Sequence, residues 1–227
     1  MKKFAFSWSR FKNYRTCPKR YYEIDVTKNV KEEPGEALLW GNQVHEALAQ
    51  RINGGLKLPI TMQQYDDWPQ RILSLKEDGV QVLVENRLAM DEHFRPTAFF
   101  DQSTWFRSVV DVMMILPKAL RAAITIDWKT GKIDPEFEQL AMSASTVFAH
   151  NPDVDIVGAI YVWLGNDSVT TKVYERDKMV PIWNDLYPGI KQMEEAHRTL
   201  TFPPKPSGLC KRHCPVVSCP HHGKGSY

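Results

Sequence analysis

Asp127 and Lys129 end an apolar run, Ile124-Thr125-Ile126-Asp127-Trp128-Lys129, that reads as a β-strand. Residues two apart on a strand share a face, so a carboxylate and an ammonium stand side by side there. Such a carboxylate suits a hard cation, Mg²⁺ or Mn²⁺, while the ammonium orients or activates water or neutralises charge developing on a phosphate. An isolated Asp-x-Lys is more often a solvated strand end. A second carboxylate changes that reading. Asp111 stands alone within Ser108-Val109-Val110-Asp111-Val112-Met113-Met114-Ile115-Leu116, where an unpaired carboxylate is costly unless a cation or backbone N–H groups satisfy it. On neighbouring strands, about 5 Å apart, Asp111 and Asp127 are placed to share one cation. His45, within Trp40-Gly41-Asn42-Gln43-Val44-His45-Glu46-Ala47-Leu48, adds an imidazole on the inward face of a helix. A lone helical histidine is ordinarily structural; the two carboxylates mark this one.

A second chemistry lies in the four cysteines, Cys17 near the start and Cys210, Cys214 and Cys219 near the end. They are too few for a disulfide-built scaffold at this length, and their crowding reads as metal ligation in a reducing compartment. His213, His221 and His222 lie beside them, so zinc held by four thiolates, or by three and one imidazole, is one occupant the spacing allows. Without a metal, three thiols in a short polar tail would gain nothing from packing.

The N-terminal segment interleaves Arg10, Lys12, Arg15, Lys19 and Arg20 with Trp8, Phe11, Tyr14, Tyr21 and Tyr22. Cations that track phosphates and aromatics that stack on bases make a single-strand-binding pattern. The same aromatics fall at helical spacing, which more often marks a core.

These residues need elements to hold them. Ser7 to Val26 reads as a broken helix interrupted at Pro18, Glu36 to Ile52 as a helix stopped by Asn53-Gly54-Gly55, and Met62 to Lys76 as a third helix. Gly79 to Glu85, Trp105 to Leu116 and Leu120 to Trp128 read as strands. Pro135 to Ala149 returns to helical periodicity, Asp155 to Leu164 and Ser168 to Tyr174 form a strand pair, and Asp177 to Leu200 is a long amphipathic helix. A stiff linker, Phe202-Pro203-Pro204-Lys205-Pro206-Ser207-Gly208, leads to the cysteine tail. The expected architecture is α/β, a mixed sheet of about five strands flanked by helices. One domain spans 1–227, with a helical N-terminal region at 1–78, an α/β core at 79–200 and a linker and tail at 201–227.

Composition agrees with a soluble globular protein and sets bounds. The 227 residues are 43% hydrophobic and 25% charged, with 29 Lys plus Arg against 27 Asp plus Glu. A formal charge of +2 neither announces nor excludes a polyanionic partner, so any basic surface is local. No apolar run approaches the roughly 18 residues of a membrane span, and the first residues meet charge too early for a signal peptide. A cytoplasmic protein without a membrane partner is the expectation.

Taken in order, the residues resemble a known family. Ser7-x3-Phe11-x2-Tyr14-x2-Cys17-Pro18-x2-Tyr21, Gly41-x3-His45, Asp111 in its apolar strand, Asp127-Trp128-Lys129-Thr130-Gly131 and Gln139 together resemble the RecB-type branch of the PD-(D/E)xK nucleases. That branch includes the RecB and AddB nuclease domains, the CRISPR-adaptation nucleases with an iron–sulfur cluster, and stand-alone phage exonucleases. The resemblance runs from Ser7 to Cys219 and implies a restriction-endonuclease-like sheet with a C-terminal cysteine metal cap. It implies that His45, Asp111, Asp127 and the Trp128 carbonyl bind catalytic Mg²⁺ or Mn²⁺, that Lys129 positions or helps deprotonate water, and that Gln139 holds substrate or the lysine. Glu85 matches a place where the family often carries an acid. Cys17, Cys210, Cys214 and Cys219 would hold a [4Fe–4S] cluster, with Zn²⁺ the alternative. Arg10, Arg15, Lys19 and Arg20 would contact the substrate.

The implied activity is hydrolysis of DNA at single strands or ends, in recombination, repair or phage DNA metabolism, alongside recombination or replication proteins in a bacterial, archaeal or phage-infected cell. A non-catalytic DNA-end-binding subunit of a recombination or CRISPR-adaptation complex and a zinc-stabilised interaction protein are the competing readings. The sequence departs from the family at three places. Ser108 stands where glycine is usual, Ser143 where the helix after Gln139 usually has tyrosine, and Cys210-x3-Cys214-x4-Cys219 replaces a Cys-x2-Cys-x5-Cys spacing.

Overall fold

A computed structural model describes residues 4–225. The chain divides into two compact units, one contiguous from Pro34 to Ile182, the other built from the segments on either side of it.

The contiguous unit opens with α3 (Glu36–Gly54). The helix ends where Gly55 takes φ 68° and its N–H returns to the Arg51 carbonyl, a left-handed cap that glycine adopts without penalty. The helix expected from Met62 to Lys76 is two pieces, a 3-10 segment at Ile60–Tyr65 and α4 (Asp67–Glu77). Pro69 is the reason. It has no N–H to continue a helix from upstream, and it is accommodated only in the first turn of a new one.

Six strands follow: β2 (Gln81–Met90), β3 (Pro96–Thr97), β4 (Phe106–Ile115), β5 (Ala122–Lys129), β6 (Ile156–Trp163) and β7 (Ser168–Glu175). Within this unit they hydrogen-bond in the order β3-β2-β4-β5-β6-β7. Only β5 and β6 run parallel, because α5 (Phe137–His150) crosses between them. The sheet is therefore mixed and flanked by helices, as the alternation of elements suggests, with the two-residue β3 additional to the strands legible in sequence. β2 also continues five residues past Glu85, which is not its end but a break in its pairing, described below.

Alternation along the strands decides what each face covers. Val112, Met114, Ile126, Trp128 and Val162 form one buried cluster with Val44, Leu48 and Ile52 of α3 and Ile72 of α4. On the other face the Tyr161 and Tyr174 hydroxyls donate to the Glu136 and Phe137 carbonyls at the start of α5, whose Leu140, Ala144 and Val147 are buried.

The second unit carries a two-residue strand β1 (Phe6–Ser7), α1 (Trp8–Thr16), α2 (Pro18–Tyr21), most of α6 (Met179–Thr199) and the four-residue α7 (Leu209–Arg212). The expected break falls at Cys17, whose extended backbone separates α1 from α2, with Pro18 opening the new helix. A single π-helical turn, Tyr22–Val26, follows. Phe11, Tyr14 and Tyr21 are buried, so these aromatics are core. Tyr14 donates to the Gln192 carbonyl, Tyr21 lies 2.8 Å from His197 Nε2, and Tyr22 stacks on Phe202 at 4.5 Å. At Gly189 a Cβ would stand 3.0 Å from the Phe11 ring, so a larger residue would press α6 against that ring. Among the described residues no helix is long and apolar enough to cross a membrane.

Candidate active site

The sheet register assembles the carboxylates. Between β2 and β4 the pairs Val84↔Val112 and Asn86↔Val110 bracket Glu85 and Asp111, which therefore stand opposite each other without a ladder pair of their own. Glu85 has φ 51°, a left-handed conformation that costs a non-glycine residue about 1 kcal/mol or more and persists where surroundings impose it. The β4–β5 ladder runs from Ile115↔Ala123 to Val112↔Ile126 and stops one pair short of Asp111 and Asp127. There the Asp111 side chain replaces a main-chain acceptor, its Oδ2 taking the Trp128 N–H at 2.8 Å. Asp127 is in turn paired with Tyr161 of β6. Glu85, Asp111, Asp127 and Tyr161 thus form one row across four strands.

His45 reaches this row from α3. Its Nε2 lies 2.9 Å from the Trp128 carbonyl and its Nδ1 3.3 Å from Asp111 Oδ2. Gly41, one turn earlier, allows this approach, since a Cβ there would stand 3.2 Å from Thr130 Oγ1. Burial pushes the imidazole pKa down, but Asp111, the Asp127 charge and the Trp128 carbonyl outweigh it and hold His45 above its ordinary value. Burial first, then the charge of Asp111, pushes the Glu85 carboxyl up. His45, Glu85 and Asp111 each offer a ligand atom within 4.8 Å of one another.

Asp127 is placed differently. Gln139 Nε2 donates to its Oδ1 at 2.8 Å. Its Oδ2 is buried and ion-paired with Lys129 Nζ at 2.8 Å. Burial, followed by the Asp111 charge, drives the Asp127 carboxyl well above the usual carboxylate range, against the pull of Lys129. Lys129 Nζ also donates to Gln139 Oε1 at 3.3 Å and lies 4.9 Å from the centre of the Tyr161 ring. Sequence reasoning missed Tyr161, whose hydroxyl sits 3.0 Å from Gln139 Oε1 as well as 2.8 Å from the Glu136 carbonyl. One O–H proton serves one of these acceptors at a time. Its place opposite Asp127 comes from strand register, which no local sequence signal reports.

This donor set suits a divalent cation. Oxygen and imidazole ligands of Mg²⁺ and Mn²⁺ type gather within 4.8 Å of one another, and the buried Asp127 carboxylate stands in the same row. An open groove of about 620 Å³, lined by Asn42, Glu46, Gln50 and Asn53 of α3 among others, leads to His45 and Glu85. Two of the family departures meet each other: Ser108 and Ser143 are hydrogen-bonded, hydroxyl to hydroxyl, at 3.0 Å.

The sulfur residues and the expected substrate cations lie in the other unit. Cys17, Cys210, Cys214 and Cys219 line one cavity with His221 and His222, and all four are free thiols. The Lys205 and Ser207 amides point at Cys17 and Cys210 Sγ, each at 3.4 Å. Burial is the main cause holding the Cys214 thiol above its ordinary pKa, with Cys17 and Cys210 adding to it. Among the described residues no three cysteine sulfurs fall within 4.8 Å of one another. Of the expected substrate cations, Lys19 is ion-paired with Glu23 and Arg20 with Glu32. Arg15 lies over the Phe11 ring at 5.4 Å, and Arg10 lines a pocket with Asp25 and Lys28.

A model of the PD-(D/E)XK nuclease superfamily matches residues 5–220 of the sequence. No curated protein matches it significantly. Among solved structures, one of a proposed exonuclease from Eubacterium rectale superposes with a TM-score of 0.54 at 14% identity, covering 96% of this chain and 91% of that one. A looser likeness is to SSO0001, with a TM-score of 0.42 at 13% identity, over 97% of this chain and 87% of the other.

Proposed function

The chain belongs to the PD-(D/E)XK nuclease superfamily, and from that premise we propose that it is a Mg²⁺- or Mn²⁺-dependent deoxyribonuclease of the RecB type, an exonuclease acting on single strands or DNA ends. The observation that carries this reading is the row of Glu85, Asp111 and Asp127 across adjacent strands, met by His45 from one side and Lys129 from the other. A binding module has no use for all of them.

In this reading His45, Asp111, Asp127 and the Trp128 carbonyl hold the cation, with Glu85 close enough to join them. When bound, the metal polarises the phosphate, lowers the pKa of water and steadies the leaving oxygen. The protein's own contribution is positioning and charge. Gln139 fixes the Asp127 carboxylate through Oδ1 and leaves Oδ2 to the cation and Lys129. Lys129, held by Gln139 Oε1 and the Tyr161 ring, aims an ammonium at the attacking water and at charge growing on the phosphate. Tyr161 keeps Gln139 in that orientation.

We further assign the cysteine cavity to a [4Fe–4S] cluster. Four thiolates are what that cluster requires, and N–H groups directed at sulfur are a recurrent feature of such sites. A single tetrahedral zinc, with Zn–S near 2.3 Å, would draw the sulfurs to about 3.8 Å from one another. Work in recombination, repair or phage DNA metabolism follows from the RecB-type reading.

The test is anaerobic purification, a visible spectrum, and cleavage of end-labelled single- and double-stranded DNA with Mn²⁺ and with EDTA. Mn²⁺-dependent cleavage from ends by a brown protein is the expected result. A colourless protein that binds DNA ends without cutting them would overturn both assignments.

A further inference from the structure

We propose that Phe99, Phe100, Arg87 and Arg107 form a docking platform for unpaired nucleotides of single-stranded DNA, feeding the metal-binding row; the proposal rests on the nuclease reading. Phe100 is 75% exposed, leaving a ring face open to a ligand. It stands perpendicular to Phe99 at 5.0 Å. The Arg107 guanidinium lies over both rings, at 5.8 and 5.5 Å, and that of Arg87 over Phe99 at 5.8 Å. Among the described residues no carboxylate forms an ion pair with Arg87.

The loop is held in place before any ligand arrives. Arg107 Nε donates to the Phe99 carbonyl, Thr104 bridges to Thr97 and to the Ala98 carbonyl, and Asp101 accepts from the Ser103 amide and hydroxyl. Pre-ordered aromatic rings lose little entropy on binding.

The register connects the platform to the chemistry. Arg87 pairs with Val109 and Ala89 with Arg107, so Arg87, Val109 and Arg107 alternate on the strand positions that also carry Glu85 and Asp111. At about 3.3 Å per residue, Arg87 is about 7 Å from Glu85 along β2, and Arg107 about 13 Å from Asp111 along β4. Arg87 is close enough to Glu85 to counter the rise in its pKa. Between them lies Val109, itself 45% exposed. A few nucleotides would span this track, with bases stacked on phenylalanine and phosphates on guanidinium. A paired base has no free face for Phe100, which is why the occupant is single-stranded.

The experiment uses the full chain with EDTA present, and fluorescent oligothymidylate, the same oligomer with abasic sites, and a blunt duplex of equal length. Phe100→Ala should weaken oligothymidylate binding about 5- to 150-fold, the range for loss of one stacked base, with little effect on the abasic strand or duplex. Arg87→Gln should lower the slope of log K against log salt by about 0.7, one phosphate contact on a single strand. Circular dichroism melts verify that both variants fold. Unchanged oligothymidylate binding by both folded variants, or equal losses on single strand and duplex, would overturn the platform while leaving the nuclease reading intact. A wild-type protein that neither binds DNA nor cuts it with Mn²⁺ would overturn the nuclease reading, and the platform with it.

Discussion

The acidic row and the thiol cavity gather ligands in opposite ways. The row draws its carboxylates from adjacent strands of a sheet, where hydrogen-bond register fixes spacing before any ligand binds. The cavity draws Cys17 from a break between two short helices and the others from a tail whose only helix is four residues long. Strand register sets the carboxylates of the first site side by side, and side-chain contacts from α3 and α5 complete it. The second lacks such a frame, so the proposed metal group would contribute to folding as well as occupy a place.

The largest effect expected of this contrast is on cleavage. Asp127→Ala and Lys129→Ala should each lower the rate of cutting end-labelled DNA by about 10²- to 10³-fold or more, with the melting curve and visible spectrum nearly unchanged. Retained activity in either variant would remove the row from the chemistry. Cys214→Ser should do the reverse, erasing visible absorbance and lowering Tm by about 10 °C, as loss of a folding ligand implies. An unchanged spectrum and Tm would show that the tail folds without a cluster. EDTA sharpens the comparison if it stops cleavage and leaves the colour.

A smaller effect tests how the row is held. Tyr161→Phe keeps the ring beneath Lys129 but removes the hydroxyl from Gln139. A lost buried hydrogen bond of about 1 to 2 kcal/mol predicts a 5- to 30-fold fall in kcat with KM little altered. A change in KM alone would place Tyr161 in substrate binding instead.

Proton competition gives a pH signature for the same site. His45 and Asp127 both have raised pKa values, so falling pH protonates both, and a protonated ligand cannot hold a cation. The Mn²⁺ concentration for half-maximal cleavage should therefore rise as pH drops through the raised imidazole pKa. A Mn²⁺ requirement independent of pH would argue against His45 as a ligand.

The smallest effect is electrostatic. Arg51 holds Asp66 through Nε at 2.7 Å, and with Gln70 it keeps that carboxyl below its ordinary pKa. A depressed carboxylate pKa stabilises the fold above the unfolded value and loses that contribution as pH falls through the folded one. Asp66→Asn should cost at most about 1 kcal/mol at neutral pH, a fall of about 2 to 4 °C in Tm, and nothing in strong acid.

Much of the row was legible in the sequence because its members interrupt apolar periodicity. Asp111 and Asp127 stand out within strands and His45 on a buried helical face, and the structure sets all three along the end of the β4–β5 ladder. Register was not legible, since pairing is a long-range choice. Tyr161, opposite Asp127, and Phe99 with Phe100, in a loop between strands, therefore carried no local signal. The split of the Met62 to Lys76 helix was readable in principle from Pro69, whose missing N–H forbids a continuous ladder. The basic and aromatic N-terminus shows the limit of pattern reading. Phe11 and Tyr21 serve as core while Lys19 and Arg20 are paired with acids.

One consequence of the division into units concerns synthesis rather than catalysis. Pro34 to Ile182 is contiguous, so its residues leave the ribosome together. The flanking unit joins Cys17 to Cys219, so its first thiol waits for nearly the entire chain to emerge before its partners exist. Closing so long a loop carries an entropic penalty. During that interval Cys17 stands without its partners, and if the cavity takes the proposed cluster, assembly of the flanking unit depends on metal supply at the end of synthesis.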